Sequence, residues 1–367
     1  MSGHAALAPS DAGRWSHCAA SISLSRQVTL TEDEDDGAEG TAAHAVASAL
    51  LLGQPAPQVA PNGVVVTPDM IAAVKPYVDF VRSWPTQPMV ETAVRAPSIH
   101  SMVWGTPDAC TLDYKINVAR IADLKYGFGL VEVYRNPQLL CYAAGLMDVV
   151  GPEAIDWSFE LTIVQPRVWH PSGPVRTWRL SAAELRNHVR HLRSMAEEAM
   201  ANDPSSHVGA WCRHCEARSI CGALRSASLD AAEQAGTATP VAMPNDALGQ
   251  EIALLRRAQG ALSARLDGLE ADAIARIDAG AVVSGWRVER PPGREEWTKP
   301  ASEVMALGDL FGVALAKEAA AVTPNQARKA GIPPEMVAAM SARKPGTLKL
   351  TSISTTDAQR VFGKQGA

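Results

Sequence analysis

The sequence is missing several signatures that would assign a function class at once. No GxxxxGK[ST] phosphate loop is present, so any motor activity would have to come from elsewhere. No apolar run approaches the ~20 residues that a membrane span requires. The opening "MSGHAALAPSDAGRWSHC" has neither the basic segment nor the apolar core of a secretory signal. Excess positive charge is missing too: 34 Lys and Arg stand against 39 Asp and Glu, a net charge of -5. A nucleic-acid partner would therefore be met by a local basic groove. Cysteine is scarce, six in 367 residues. With a cytoplasmic location expected, these six do not read as a disulfide framework. There is no internal repeat.

What is present is an ordinary globular composition, 47% hydrophobic and 20% charged. It is enough for a sizeable core and about two domains at roughly 150 residues each. A helix is expected over 14–30, then an acidic loop over 32–40. "EGTAAHAVASALLLG" reads as a helix capped by Thr41 and stopped by Gly53. "TPDMIAAVKPYVDFVRSW" is a second helix, with Pro68 in its first turn. From about residue 89 the texture turns to β: "MVETAVRA", "MVWGTPDACTLD", "VARIADLKYG" and "VEVY" are rich in Val, Ile and Tyr. "NPQLLCYAAGLMDVVG" predicts a helix, "WSFELTIVQP" and "TWRLS" strands, and "SAAELRNHVRHLRSMAEEAMAN" a helix opened by a Ser181–Glu184 capping box. We expect a first domain over 1–224, an Ala/Ser/Thr/Pro-rich linker over 225–245 and a mainly helical module over 246–367. That module would open with a long helix or a helical hairpin broken near Gly260 and would include a strand pair in "GWRVERPPGREEWTK".

Two groups of residues carry chemistry. Cys212, Cys215 and Cys221 form C-x2-C-x5-C, one thiolate short of a tetrahedral set. Cys18, nearly two hundred residues upstream, could supply the fourth and close a very long loop. A zinc site using His214 or His17 in place of Cys18 stays open. Cys110 and Cys141 fall in apolar segments and read as core.

The second group centres on "WGTPDACTLDYKINVARIADLKYG". Asp123 and Lys125 project from the same face of a strand. If that strand forms a hairpin with the one opened at Asp108, the two carboxylates converge on one divalent ion, and hard oxygen ligands suit Mg²⁺ or Mn²⁺. Lys125 would then offset charge developing on a phosphodiester. A D-x-K pair alone is more often a surface salt bridge. Its companions give it weight: Glu39 and His44 on one helix, Glu91 at the start of the strand before the Gly-Thr-Pro turn, and Gln138 and Tyr142 four apart on a helix.

"EGTAAH", "GTPDA", "ADLKYG" and "NPQLLCYA", followed by "WCRHCEARSIC", resemble the RecB-like branch of the PD-(D/E)XK nucleases over roughly residues 14–224. The iron–sulfur members, such as the AddB-type recombination nucleases and the CRISPR adaptation nucleases, carry one cysteine before the nuclease core and three after it. The resemblance implies an α/β, restriction-endonuclease-like fold, a mixed central sheet flanked by helices. It implies a 4Fe–4S cluster on Cys18, Cys212, Cys215 and Cys221 that staples the ends of the domain. His44, Asp108, Asp123 and the Leu124 carbonyl would hold Mg²⁺ or Mn²⁺, with Lys125 the catalytic lysine and Gln138 and Tyr142 the Q-x3-Y motif contacting DNA. No helicase module accompanies the domain, so the chain resembles the stand-alone nucleases of phages and prophages. Its partners would be DNA ends or single strands, with a phage recombinase, a single-strand-binding protein or a separate helicase, in the cytoplasm of an infected or lysogenic host. The open alternative is a non-catalytic DNA-binding or scaffold protein with the same fold, stapled by zinc or iron–sulfur. Arg186, Arg190 and Arg193 on the helix before the cysteines, and Arg328, Lys329, Arg343, Lys344 and Lys349 in the tail, are the basic candidates for DNA contact.

Overall fold

Local sequence accounts for most of the elements around the candidate site, and for the places where they break. The computed structural model describes residues 5–28, 35–234, 244–289, 292–317, 320–321, 323–345 and 349–352. The expected helix over 14–30 is instead two short ones, α1 (Ala12–Trp15) and α2 (Ala20–Ser25), and Cys18 lies in the break between them. α3 (Asp35–Leu51) starts before Thr41. The Thr41 hydroxyl donates back to the Gly37 carbonyl at 3.3 Å, an interior hydrogen bond and not a cap. Gly53 does end the helix, at a φ of 74° that costs glycine nothing. α4 (Pro68–Arg82) opens as expected, with the Thr67 side chain accepting the Met70 N–H at 3.1 Å.

"MVETAVRA" is not one strand. β1 (Met89–Val90) stops at Glu91, whose φ is 48°, so Glu91 ends a strand where it was expected to begin one. β2 (Val94–Arg95) pairs with β3 (Trp104–Gly105) outside the main sheet. β4 (Ala109–Asp113) and β5 (Val118–Leu124) form an antiparallel hairpin. α5 (Pro137–Val150) then crosses over to β6 (Ser158–Val164), which runs parallel to β5, and β7 (Val175–Ser181) returns antiparallel. The result is a mixed five-stranded sheet of order β1-β4-β5-β6-β7. "VEVY" forms no strand; the Val131 N–H donates to the Gln165 side chain at 3.1 Å in place of a ladder partner. α6 (Ala182–Ala199) carries the Ser181–Glu184 capping box.

Helices cover both faces of the sheet, and the strands alternate to match. Ile121, Phe159, Leu161 and Ile163 pack with α5 and α6. Ala122, Leu124 and Val164 pack with Val46, Val74 and Tyr77 of α3 and α4. Close approach of α5 to β2 needs Gly145, because a Cβ there would overlap Val94 and the Arg95 carbonyl.

Beyond the cysteines, α7 (Gly222–Gln234) occupies the first part of the expected linker, and residues 235–243 lie outside the described residues. α8 (Asn245–Asp278) is one continuous helix through Gly260. The chain divides into units 1–268 and 269–367, with the division falling within α8 and not in the expected linker. The reason is packing: Ala261 and Ala264 of α8 are buried with Cys212 and Leu224. In the second unit short strands alternate with helices. β8 (Trp286–Glu289) and β9 (Pro292–Trp297) pair with β13 (Lys349–Ser352) and β12 (Ser341–Pro345), not with each other. β10 (Ala316–Lys317) pairs with β11 (Ala320–Ala321). α9 (Ala301–Leu310), α10 (Pro324–Lys329) and α11 (Pro334–Met340) complete it, around Val304, Ala327, Ile332 and Val337. Among the described residues no helix is long and apolar enough to cross a membrane.

Candidate active site

The β4–β5 register pairs Ala109 with Ala122, so Asp108 and Asp123 face each other one step beyond, at the open end of the hairpin. Asp108 is held from three sides. Its Oδ2 accepts the Leu124 N–H at 2.7 Å, its Oδ1 meets His44 Nδ1 at 2.9 Å, and its carbonyl accepts the Glu91 N–H at 3.2 Å. Leu124 thus meets the cluster through its amide. The ligand atoms of His44, Glu91 and Asp108 all lie within 4.8 Å of one another. Glu91 joins this group from a left-handed backbone, with a φ of 48°. Such a conformation costs a non-glycine residue about 1 kcal/mol and is enriched at functional sites.

Asp123 shares the face of Ile121, toward α5, and is only 2% exposed. Lys125 Nζ lies 2.8 Å from Asp123 Oδ2 and donates to Gln138 Oε1 at 2.9 Å. Asn136 caps α5 through the Leu139 N–H and thereby sets the helix that carries Gln138. One turn on, the Tyr142 hydroxyl donates to the Thr106 carbonyl at 3.1 Å, tying α5 to the Gly-Thr-Pro turn that precedes Asp108. Glu39 is not part of the group. It pairs with Arg167 at 3.0 Å, whose guanidinium stacks on Tyr126 and Phe128.

Burial pushes the Asp123 carboxyl up, against the pull of Lys125. Desolvation within the cluster and then the Asp108 carboxylate raise Glu91 to about 7, although the residue as a whole stays exposed. Burial works against a charged His44, yet its hydrogen bond to Asp108 and the Asp108 and Asp123 charges outweigh this and raise its pKa. Lys125 follows the same pattern: burial opposes its charge, and Asp123 more than restores it. Three carboxylates thus meet one lysine and one imidazole, a surplus of negative charge that favours a bound cation. Tyr77 was missed by the sequence reading. Its hydroxyl is buried with no hydrogen-bond partner, within reach of the Asp108, Asp123 and Glu91 charges. A buried hydroxyl with no protein partner, close enough to feel those charges, is a place for a water.

Cys18, Cys212, Cys215 and Cys221 influence one another electrostatically, but among the described residues no three of their sulfurs lie within 4.8 Å of one another. The Cys18 thiol is raised by burial first, and further by Cys215 and Cys221. Cys212 is raised by burial, then by Cys215, Cys18 and Cys221. Backbone N–H groups of His207, Gly209 and Leu224 donate to the sulfurs of Cys18, Cys212 and Cys221 at 3.4, 3.5 and 3.5 Å. His17 is stacked on Trp211 with its Nδ1 3.1 Å from the Gly13 carbonyl, and His214 is exposed. Cys110 and Cys141 are buried in the sheet–helix core, as expected. Of the three α6 arginines, Arg190 bonds Asn187 and Arg193 bonds the Ser98 carbonyl at 2.7 Å. In the tail, the side chains of Lys329, Arg343, Lys344 and Lys349 lie outside the described residues.

Residues 4–310, a stretch that holds the whole acidic cluster and all four of these cysteines, match the family described as "Protein of unknown function (DUF2800)", and the chain belongs to that family.

Proposed function

We propose that the protein is a divalent-metal-dependent DNA nuclease of the RecB-like PD-(D/E)XK kind, an exonuclease on DNA ends or single strands in phage recombination or repair. The observation that carries this reading is the convergence of His44, Glu91, Asp108, Asp123, Lys125 and Gln138 from α3, the end of β1, the β4–β5 hairpin and α5. The β5–α5–β6 crossover, which makes the sheet mixed, also supports a restriction-endonuclease-like core.

His44, Glu91, Asp108 and Asp123 would hold the cation. A bound Mg²⁺ or Mn²⁺ supplies Lewis-acid activation of water and neutralises charge developing on the phosphodiester. Lys125 is fixed between Asp123 and Gln138; its charged ammonium would orient the attacking water and stabilise the developing oxyanion of the phosphate. Tyr142 holds the helix that holds Gln138.

The cysteine group supports a 4Fe–4S staple in the same protein. Backbone N–H donors to three of the four sulfurs are a means of stabilising a thiolate-bound cluster. Tetrahedral zinc bonds of about 2.3 Å would bring thiolate sulfurs to about 3.8 Å of one another. Among the described residues no three cysteine sulfurs lie within 4.8 Å, a spacing wider than that of a closed zinc tetrahedron.

The test is degradation of end-labelled linear DNA with Mg²⁺ or Mn²⁺ by wild type, Asp123→Ala and Lys125→Ala. Loss of activity in both variants is expected. Equal activity in all three would remove the catalytic reading. Anaerobically purified protein should be brown, and a colourless zinc protein would remove the iron–sulfur assignment while leaving the nuclease reading intact.

A further inference from the structure

α8 uses one of its faces and leaves another bare. Ala261 and Ala264 are buried with Cys212 and Leu224, and Arg265 donates to the carbonyls of Arg218, at 2.9 Å, and Ser219. The opposite side carries Leu248, Ile252, Leu255, Leu262 and Leu266, each between 38% and 58% exposed. Their separations of 4, 3, 7 and 4 residues are the a/d spacing of a coiled coil, and Gln259 takes the one a position without an aliphatic residue. A helix of a single packed layer would keep leucines on its buried face; here they line the solvent side.

We infer that this α8 face is a dimerisation seam, which pairs with the same face of a second copy of the chain in a parallel two-stranded coiled coil. Three features select that occupant. The heptad spacing matches a second helix of equal period, as an identical chain provides. In a parallel, in-register pair the two Gln259 amides meet across the two-fold axis and satisfy each other. An antiparallel pair would instead bury each against a leucine. Glu251 and Arg256 fall at g and e positions five residues apart, so each Glu251 faces the Arg256 of the other copy with opposite charge. The cysteine segment lies on the other face, so pairing leaves it undisturbed.

Sedimentation equilibrium of the full chain tests this without reference to DNA or metal. The expected mass is twice 38.9 kDa, falling to one chain in Leu255→Glu/Leu262→Glu. Ile252→Lys, more than two turns before Ala261, is the second variant and is expected to weaken association at least tenfold with an unchanged circular dichroism spectrum. Gln259→Cys should cross-link under oxidation well above the wild-type background. A monomeric wild type overturns the inference, as does a dimer that survives both variants. A dimer that Gln259→Cys does not cross-link overturns the parallel register.

Discussion

Lys125 Nζ touches Asp123 Oδ2 at 2.8 Å while only 2% of Asp123 is exposed, so the ammonium holds charged a carboxylate that burial alone would drive toward protonation. Removing the lysine leaves that carboxylate buried and alone. Lys125→Ala should therefore destabilise the metal-free protein by about 3 kcal/mol. It should also slow DNA cleavage ~10²–10³-fold, the usual effect of losing one charged donor to a developing oxyanion. Urea denaturation and single-turnover cleavage measure the two effects separately. A stable but inactive variant would place the role of Lys125 in catalysis alone.

Gln138→Ala and Tyr142→Phe should separate two roles on one helix. Gln138 touches Lys125 Nζ, so its loss frees the ammonium and should lower the cleavage rate with little change in stability. Tyr142 donates to the Thr106 carbonyl and so anchors α5 to the turn before Asp108. Its phenylalanine variant should cost about 1 kcal/mol of stability, the worth of one buried hydrogen bond, and act on the rate only indirectly. Thermal melts beside rate measurements decide it: equal stability losses in both variants would contradict the division.

The acidic cluster predicts a pH dependence with a definite sign. Glu91 rises from 4.5 to about 7 on folding, so the folded state binds its proton more tightly than the unfolded one. His44 is also raised, from 6.5, by Asp108 against the effect of burial. Both groups favour the folded state at low pH and withdraw that support as pH rises, Glu91 from about 4.5 to 7 and His44 from 6.5 upward. Between pH 5 and 8 these two groups act to lower the melting temperature of the metal-free protein, while His188, lowered from 6.5 by burial, acts in the opposite sense, so the fall should be read against a Glu91→Gln variant that lacks part of it. Mn²⁺ needs Glu91 ionised and a ring nitrogen of His44 free of its proton, so the melting temperature gained with Mn²⁺ should grow over the same interval. A metal-free fall as steep in Glu91→Gln as in the wild type would contradict the cluster's electrostatics.

Much of this site is visible in the sequence because strands and helices repeat with fixed periods. Period two puts Asp123 and Lys125 on one face, and a turn of helix puts Gln138 beside Tyr142. What escapes is whatever depends on a local break or on a distant neighbour. Glu91 is a candidate from sequence, but the positive φ that ends its strand is announced by no periodicity. Glu39, one helix with His44, is drawn away by Arg167 from a loop 128 residues later. Tyr77 repeats with Met70, Val74 and Val81 on the buried side of α4, so its sequence pattern is that of core. α8 read as part of a separate module because the alanines that dock it on the cysteine segment are too small to mark a buried face.

On the proposed iron–sulfur reading the six cysteines divide into ligand and core. Cys18 lies in a break between two short helices, and Cys212, Cys215 and Cys221 lie in short turns, with N–H donors on three of the four sulfurs. Cys110 and Cys141 lie inside a strand and a helix, where burial pushes the Cys110 thiol up to about 12 and the Cys141 thiol up as well. A thiol so disfavoured as thiolate is a poor ligand. Cys18→Ser and Cys212→Ser should bleach anaerobically purified protein and lower its stability by several kcal/mol, because a metal group bound only by the folded chain contributes its binding energy to folding. Cys110→Ala and Cys141→Ala should keep the colour and cost only about 1–2 kcal/mol, as small core truncations do. Visible absorbance, iron content and thermal melts of the four variants check this. Colour that survives Cys18→Ser would detach the N-terminal segment from the cysteine group and leave its metal to the residues between 212 and 221.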